Sequence, residues 1–374
     1  MTRSRKPCDQ GATIPSAHAL SDGIRCAAAL ALVALGVTAC GGSGDGGSDG
    51  SSKPTATSQP GSSSPSSRAE EAPSPAEVAS VPFPTNLAFD DQGSMWVLSG
   101  SRGAQDADGV WYVPRGERSR HVAKDLTAAL GLTWAGNRLY VSHVTSARNG
   151  RVTVLEEFTG STFERRRTAV DGIRVGENSM GSIVQGPDGR LFVKAGSVTA
   201  MGRPAGRVLS FAPGDHRPKV EATGLNSEYG LAFAGQRLVV TDTGRNDLGP
   251  FRPDEEVNAF DPSGPVVDFG FPGCYGQGGR ACAGTREPLA SLPPHAASAG
   301  IAIAGEVAYV AQNGSAFEEN PTGSDVVRVD LRTGRHSVLW RSPVAHDPLG
   351  AAIGPDGDLY VTLYVSGRVV RFDL

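Results

Sequence analysis

From Leu87 onward the chain runs in short stretches of alternating apolar and polar residues, each cut by a turn that contains glycine. Alternation at a period of two marks a strand whose side chains point to opposite faces. The stretches come in pairs, and the pairs repeat: "LAFDDQGSMWVLSG" from Leu87, "GLTWAGNRLYVSHV" from Gly131, "GSIVQGPDGRLFVKAG" from Gly181, "GLAFAGQRLVVTDTG" from Gly230, "GIAIAGEVAYVAQNG" from Gly300 and "GAAIGPDGDLYVTLY" from Gly350. A third strand follows each pair, as in "GRVTVLEEF" and "DVVRVDL", and a fourth is visible in "RHSVLWR" from Arg335. Starts fall about 45–50 residues apart, widening only between Gly230 and Gly300, where a cysteine-containing loop is inserted. Four-stranded units at this spacing are propeller blades, and no helical periodicity competes. The pattern predicts an all-β fold, a six-bladed β-propeller over residues 81–374. The last copy ends after its third strand, so the segment around "AEVASVPF" is expected to supply the fourth and close the ring.

Residues ahead of the repeats differ in kind. Arg3, Arg5, Lys6 and Arg25 precede the apolar run "CAAALALVALGVTA", too short to span a bilayer comfortably. Residues 1–39 are therefore expected to be a secretory signal. It closes on Val37-Thr38-Ala39-Cys40, which resembles the lipobox of bacterial lipoproteins. The resemblance implies lipidation of Cys40 and an extracytoplasmic protein that meets the membrane only through this anchor. Residues 40–80 are dominated by Gly, Ser, Pro and Thr and cannot bury a core, so they are expected to form a disordered tether. Within the propeller region only Cys274 and Cys282 remain, in "CYGQGGRAC". Outside the cytoplasm so close a pair is expected to form a disulfide, and no histidine lies within the loop to complete a metal site. The net charge of −4 is unexceptional, and no basic cluster or interleaved aromatics point to nucleic acid.

In a propeller, the loop into each first strand and the loop out of each second strand share a face. That rule gathers Glu177, Asn178, Asn226, Tyr229 and His295 with Lys194, Asp242, Arg245, Asp247 and Asn313 on one rim, leaving tight turns on the other. A mouth with convergent polar groups is the default place for a ligand. The densest loop, "TDTGRNDLGPFRPDEEVN", carries Asp242, Asp247, Asp254 and Glu255. Carboxylates and turned carbonyls are what calcium wants. The loop reads either as such a site or as an acidic loop pinned by Arg245 and Arg252.

The stretches "GLNSEYGLAF", "LVVTDTGRND", "DEEVNAF", "DFGFPGCYG" and "PPHAASAGIAI" follow one another in an order that resembles the glucose/sorbosone dehydrogenase family of six-bladed propellers. The resemblance runs from about Val81 to the end of the chain. It implies oxidation of a sugar or sugar-like alcohol with pyrroloquinoline quinone (PQQ) and Ca2+ as cofactors. On that alignment Lys194, Asn226, Tyr229, Arg245 and Asn313 are the cofactor-binding candidates, and Asp242, Asp247, Asp254 and Glu255 the metal ligands. Aligned on Gly186-Pro187-Asp188, the position of the family's basic histidine holds Asn178, with Glu177 before it. An amide has no useful basicity near neutral pH, so a general base must be Glu177 or His295. The family's Arg-Asn pair is replaced by Asn226-Ser227, which removes a cation. Two further readings stand beside the dehydrogenase: a propeller that binds carbohydrate without catalysis, and a lactonase-like metal hydrolase using Glu177, Asn178, Asn226 and Asp242.

Overall fold

Alternating residues become strands because the pleat sends successive side chains to opposite sides, and here both sides are apolar. A computed structural model describes residues 74–101, 107–146, 148–175, 179–197, 205–227, 229–276 and 282–374. Cys40, the expected signal and the expected tether up to residue 73, and also Glu177 and Asn178, lie outside the described residues. The chain begins with β1 (Ala76–Ser80) and then builds blade one from β2 (Pro84–Phe89), β3 (Met95–Ser99), β4 (Gly109–Val113) and β5 (Arg120–Lys124). Blade two is β6 (Gly131–Ala135), β7 (Arg138–Ser146), β8 (Asn149–Phe158) and β9 (Phe163–Arg174). Blade three is β10 (Met180–Gln185), β11 (Leu191–Ala195), β12 (Gly206–Phe211) and β13 (Lys219–Leu225). Blade four comprises β14 (Leu231–Ala234), β15 (Arg237–Asp242) and β16 (Glu255–Phe260); after an excursion through β17 (Val267–Asp268) it is completed by β18 (Ala290–Leu292). Blade five is β19 (Ser298–Ala304), β20 (Val307–Gln312), β21 (Asp325–Asp330) and β22 (His336–Arg341), and blade six contributes β23 (Pro348–Ile353), β24 (Leu359–Leu363) and β25 (Arg368–Phe372).

The result is a six-bladed all-β propeller, as the repeats predict. Its last blade is completed from the other end of the chain: β1 pairs antiparallel with β25, from Ala76 opposite Arg371 to Ser80 opposite Arg368. β1 therefore comes from residues that composition alone assigns to the tether. Just beyond it, fully buried Val81 donates its N–H to Gly367 O at 3.0 Å.

The core is not central. Six separate apolar clusters fill the six gaps between neighbouring blades. Strands such as β11 feed two of them in alternation: Phe192 packs toward blade four and Val193 toward blade two. The small residues that open the inner strands allow those strands to crowd together. A Cβ on Gly300 would lie 2.6 Å from Leu349 O, and one on Gly350 2.7 Å from the Asn86 Cα. Toward the hairpin turns the ring widens into a channel of about 350 Å³ lined by Phe89, Trp134, Val184, Phe233, Ile303 and Ile353, among others.

The insertion in blade four does more than form a loop. β17 crosses to the edge of blade three and pairs in parallel with β13, Ala222 opposite Val267. The chain returns through a Cys274–Cys282 disulfide, the expected pair, and only then lays down β18 against β16.

Deleting residues 1–83 removes β1 and Val81 together. Losing the burial of Val81 and the outer strand should cost on the order of 3 kcal/mol or more. The melting temperature should fall by roughly 5 °C or more, whereas deletion of residues 1–73 should leave it unchanged. Equal melting of the two truncated chains would contradict closure by β1.

Candidate functional site

In each blade the start of the first strand lies beside the end of the second, as Met180 does with Ala195 and Ser298 with Gln312. The loops into first strands and out of second strands therefore share one face. Its densest polar part lies over blades three to five.

β15 and β16 pair so that Asp242 stands opposite Glu256, and Val240 opposite Asn258. Val240 packs in the cluster between blades three and four, which puts Asp242, Glu256 and Asn258 on the side of blade four that faces blade three. Glu255, one residue along, points the other way and accepts the Ser298 N–H of blade five at 2.8 Å.

Between blades three and four the Lys194 ammonium is fully buried. It donates to Thr241 O, to Ser227 Oγ at 3.2 Å and to the Asp242 carboxylate at 3.4 Å. Asp242 also accepts the backbone N–H groups of Asn226 at 3.0 Å and Ser227 at 2.8 Å. Burial pushes the Asp242 carboxyl up, against the pull of Lys194 and these donors. The Asn226 amide turns onto the backbone as well, donating to Thr243 O and Gly244 O.

Burial raises the Glu255 carboxyl to about 8, although the Ser298 and Gly244 N–H groups oppose the shift. Glu256, which accepts from Gly276 N at 2.7 Å and Asn258 Nδ2 at 3.1 Å, is raised to about 7 by burial and then by the neighbouring Asp242 charge. A void of about 20 Å³, room for one water, is lined by Asp242, Asp254, Glu256 and Arg245 among others.

The outer loop is held by Arg245 and His295. Arg245 forms a two-point bridge to exposed Asp247, at 2.9 and 2.5 Å, and donates to Pro272 O. His295 Nε2 faces Gly249 O at 2.8 Å and Arg252 O at 3.0 Å, so the acceptors require a proton on that nitrogen. Its Nδ1 meets the Asn246 side chain at 3.2 Å.

These contacts revise the expected roles. His295 has both ring nitrogens committed to the loop at 246–252, which removes it as a free base. Lys194 and Asn226 staple blades three and four rather than face a cofactor. Asn313 donates to His346 O and Pro348 O and links blades five and six. Tyr229 lines a void of about 10 Å³ with Ser179 and Tyr364. The four proposed metal ligands do not gather, because Asp242 and Glu255 leave opposite faces of blade four while Asp247 and Asp254 are exposed. Among the described residues no three histidine, cysteine or acidic side chains come together as a metal site. Of the hydrolase set, Asn226 and Asp242 are described: the Asn226 side chain donates to Thr243 O and Gly244 O and accepts from Ser197 Oγ, while Asp242 pairs with Lys194. Sequence reading missed Asn258, although it shares a strand face with Glu256 two residues away.

No protein-family model matches this chain, and no curated protein sequence matches it. Solved structures do. The PQQ domain of pyranose dehydrogenase from Coprinopsis cinerea is similar with a TM-score of 0.66 at 19% identity, over 80% of this chain and 95% of that one. A putative oxidoreductase (glucose dehydrogenase) from Thermus thermophilus is similar with a TM-score of 0.64 at 22% identity, over 80% and 100%. A calcium structure of a Trichoderma reesei carbohydrate-active enzyme of family AA12 is similar with a TM-score of 0.65 at 16% identity, over 81% and 98%. At such identities the likeness is one of fold.

Two outcomes follow from the buried charges. Glu255 has a folded pKa of about 8 against an ordinary 4.5, so its contribution to stability is complete below about pH 4.5 and is lost as pH rises toward 8. Glu255→Gln should flatten the fall in melting temperature between pH 5 and 8.5, an effect on the order of a few kcal/mol; identical pH profiles would refute it. Lys194→Met strands Asp242 in the interior and should cost about 3–5 kcal/mol in urea unfolding, whereas a residue merely facing a ligand would leave the midpoint in place.

Proposed function

We propose that this chain acts on a sugar or sugar-like alcohol at the loop-lined face of the propeller, as an oxidoreductase of the PQQ-dependent sugar dehydrogenase type. The observation that carries this reading is the extent of the likeness: propellers described as pyranose and glucose dehydrogenases correspond over 95% and 100% of their own lengths. The whole ring is shared, not a single blade. The chain's own groups left over at this face suit a polyol: Tyr275 is 40% exposed beside Arg245, and Phe251, in the same outer loop, is 68% exposed. Aromatic faces cover sugar C–H groups while Asp254 is exposed to accept from hydroxyls. The proposal also keeps the protein outside the cytoplasm, tethered through Cys40.

The described residues do not fit the quinone and calcium that the type implies. A tricarboxylic quinone needs cations at the surface, but Lys194 is sealed between blades and Arg245 is already paired with Asp247. Among the described residues the acidic side chains do not form a cation cage. We therefore derive no step through the quinone. This misfit, with Asn178 at the base position, favours a second reading in which the ring binds a sugar without oxidising it.

Reconstitution separates the two. Purified protein with CaCl₂ and PQQ should acquire quinone absorbance and reduce a dye when an aldose is added. Calorimetric binding of the aldose without either signal would select the binding propeller, and no aldose binding at all would overturn both.

A further inference from the structure

The strands that build the cluster between blades one and two change character toward the loop face. On β7 and β8 the inward residues Leu139, Val141 and Leu155 belong to the apolar cluster. Continuing along the same sides, β7 presents His143 and β8 presents Thr153 and then Arg151. β9 adds Arg166, opposite Leu155. The gap between the blades thus opens into a polar cavity of about 440 Å³ beneath the Asp125–Thr127 link. That volume suits a small ligand. The cavity shares no lining residue with the site over blades three to five.

Its charges are only partly answered. Arg151 Nη2 holds Asp171 at 2.6 Å, but its Nε is buried and makes no hydrogen bond. Arg166 donates to two neutral acceptors, Lys124 O at 2.8 Å and Asp125 O at 2.9 Å, and no carboxylate among the described residues bridges it. The two guanidinium groups lie near enough for each to act on the other and on His143. Burial foremost, with these two cations, lowers His143 to about 4, so it is neutral here. Its Nδ1–H donates to Val144 O at 3.1 Å, which leaves Nε2 to accept the Thr153 hydroxyl at 2.8 Å. What faces the cavity is the Arg151 and Arg166 guanidinium groups over a floor of neutral hydroxyl and imidazole, with the exposed Asp125 carboxylate near Arg166 at the rim and Arg167, paired with Glu156, beside them.

We propose that this cavity is a second binding site, for a small hydroxyl-rich anion whose carboxylate or phosphate oxygens meet Arg151 and Arg166. Guanidinium forks match planar and tetrahedral oxyanions, and bound charge relieves the repulsion between the two cations. Threonine hydroxyls at positions 127, 145, 153 and 168 line the remainder, which accounts for a hydroxylated body rather than an apolar one.

The test is isothermal titration of the full chain at low ionic strength with D-glucose 6-phosphate, D-gluconate and neutral D-glucose. At least one of the two anions should bind with 1:1 stoichiometry, and which of them binds more tightly identifies phosphate or carboxylate as the group read. Arg166→Gln and, separately, Arg151→Gln should each weaken that binding tenfold or more, while Arg335→Gln on the outer edge of blade five leaves it unchanged. Saturable binding of neither anion would overturn the proposal. So would equal loss in Arg335→Gln, which would mark diffuse attraction, or an affinity for glucose matching that of the anions.

Discussion

A propeller blade is one sheet thick and carries apolar side chains on both faces. β3 shows the consequence: all five residues from Met95 to Ser99 are buried, the even positions against blade two and the odd ones against blade six. No blade covers itself, so burial is complete only when the ring is complete. The β1–β25 pair meets that demand at the one place where covalent continuity does not. The six–one cluster contains Val81 from one end of the fold and Val369 from the other, beside Leu87, Val97 and Tyr360. Chain closure therefore completes the sixth of the six core clusters in this molecule.

Ring closure also governs the polar chemistry of the loop face. Toward the loop face, backbone carbonyls in or next to the first and second strands are buried at blade boundaries and need donors. Side chains meet the need at successive boundaries from blade one to blade six. Thr85 Oγ1 reaches Ala129 O at 2.8 Å, Ser142 reaches Gly181 O, Lys194 reaches Thr241 O, Thr241 Oγ1 reaches Ala299 O at 2.7 Å, and Asn313 reaches Pro348 O at 3.3 Å. Blade three uses a lysine where blades two and four use hydroxyls. The added charge requires Asp242, and Asp242 in turn takes up the N–H groups of Asn226 and Ser227. One substitution in a structural series thus draws three neighbours into its service.

This explains what could be read from the sequence. The repeats, the blade number, the closing strand and the cysteine pair all follow from alternation, spacing and turn chemistry, which are local. Lys194 was open to a better reading, because it occupies the place of Ser142, Thr241 and Thr362 in the recurring second strand. The contrast between Glu255 and Glu256 was also available, since adjacent residues in a strand must face opposite ways. β17 was not legible: two residues, Val267 and Asp268, carry no periodicity, and their parallel pairing with Ala222 and Thr223 is a tertiary event. Nor was the basic cavity, where Arg151 and Arg166 meet only because β8 and β9 pair in that register and His143 lies beside them.

The two halves of the loop face end up with different electrical character. Over blades three to five, Asp242 and Glu256 lie on one side of blade four and Glu255 on the other, and burial raises the two glutamates to about 7 and 8, which takes away much of their charge near neutral pH. Over blades one and two, guanidinium groups lack full compensation while the one imidazole is held neutral. On the readings proposed above, an anion is drawn to the second region, whereas a neutral polyol is indifferent to the field and is selected by hydroxyl contacts and aromatic faces. A shared fold says little about which ligand is taken. On these two proposals, the difference in charge says more, because it is fixed by strand register and would let one ring take a neutral sugar at one place and an acidic or phosphorylated one at another.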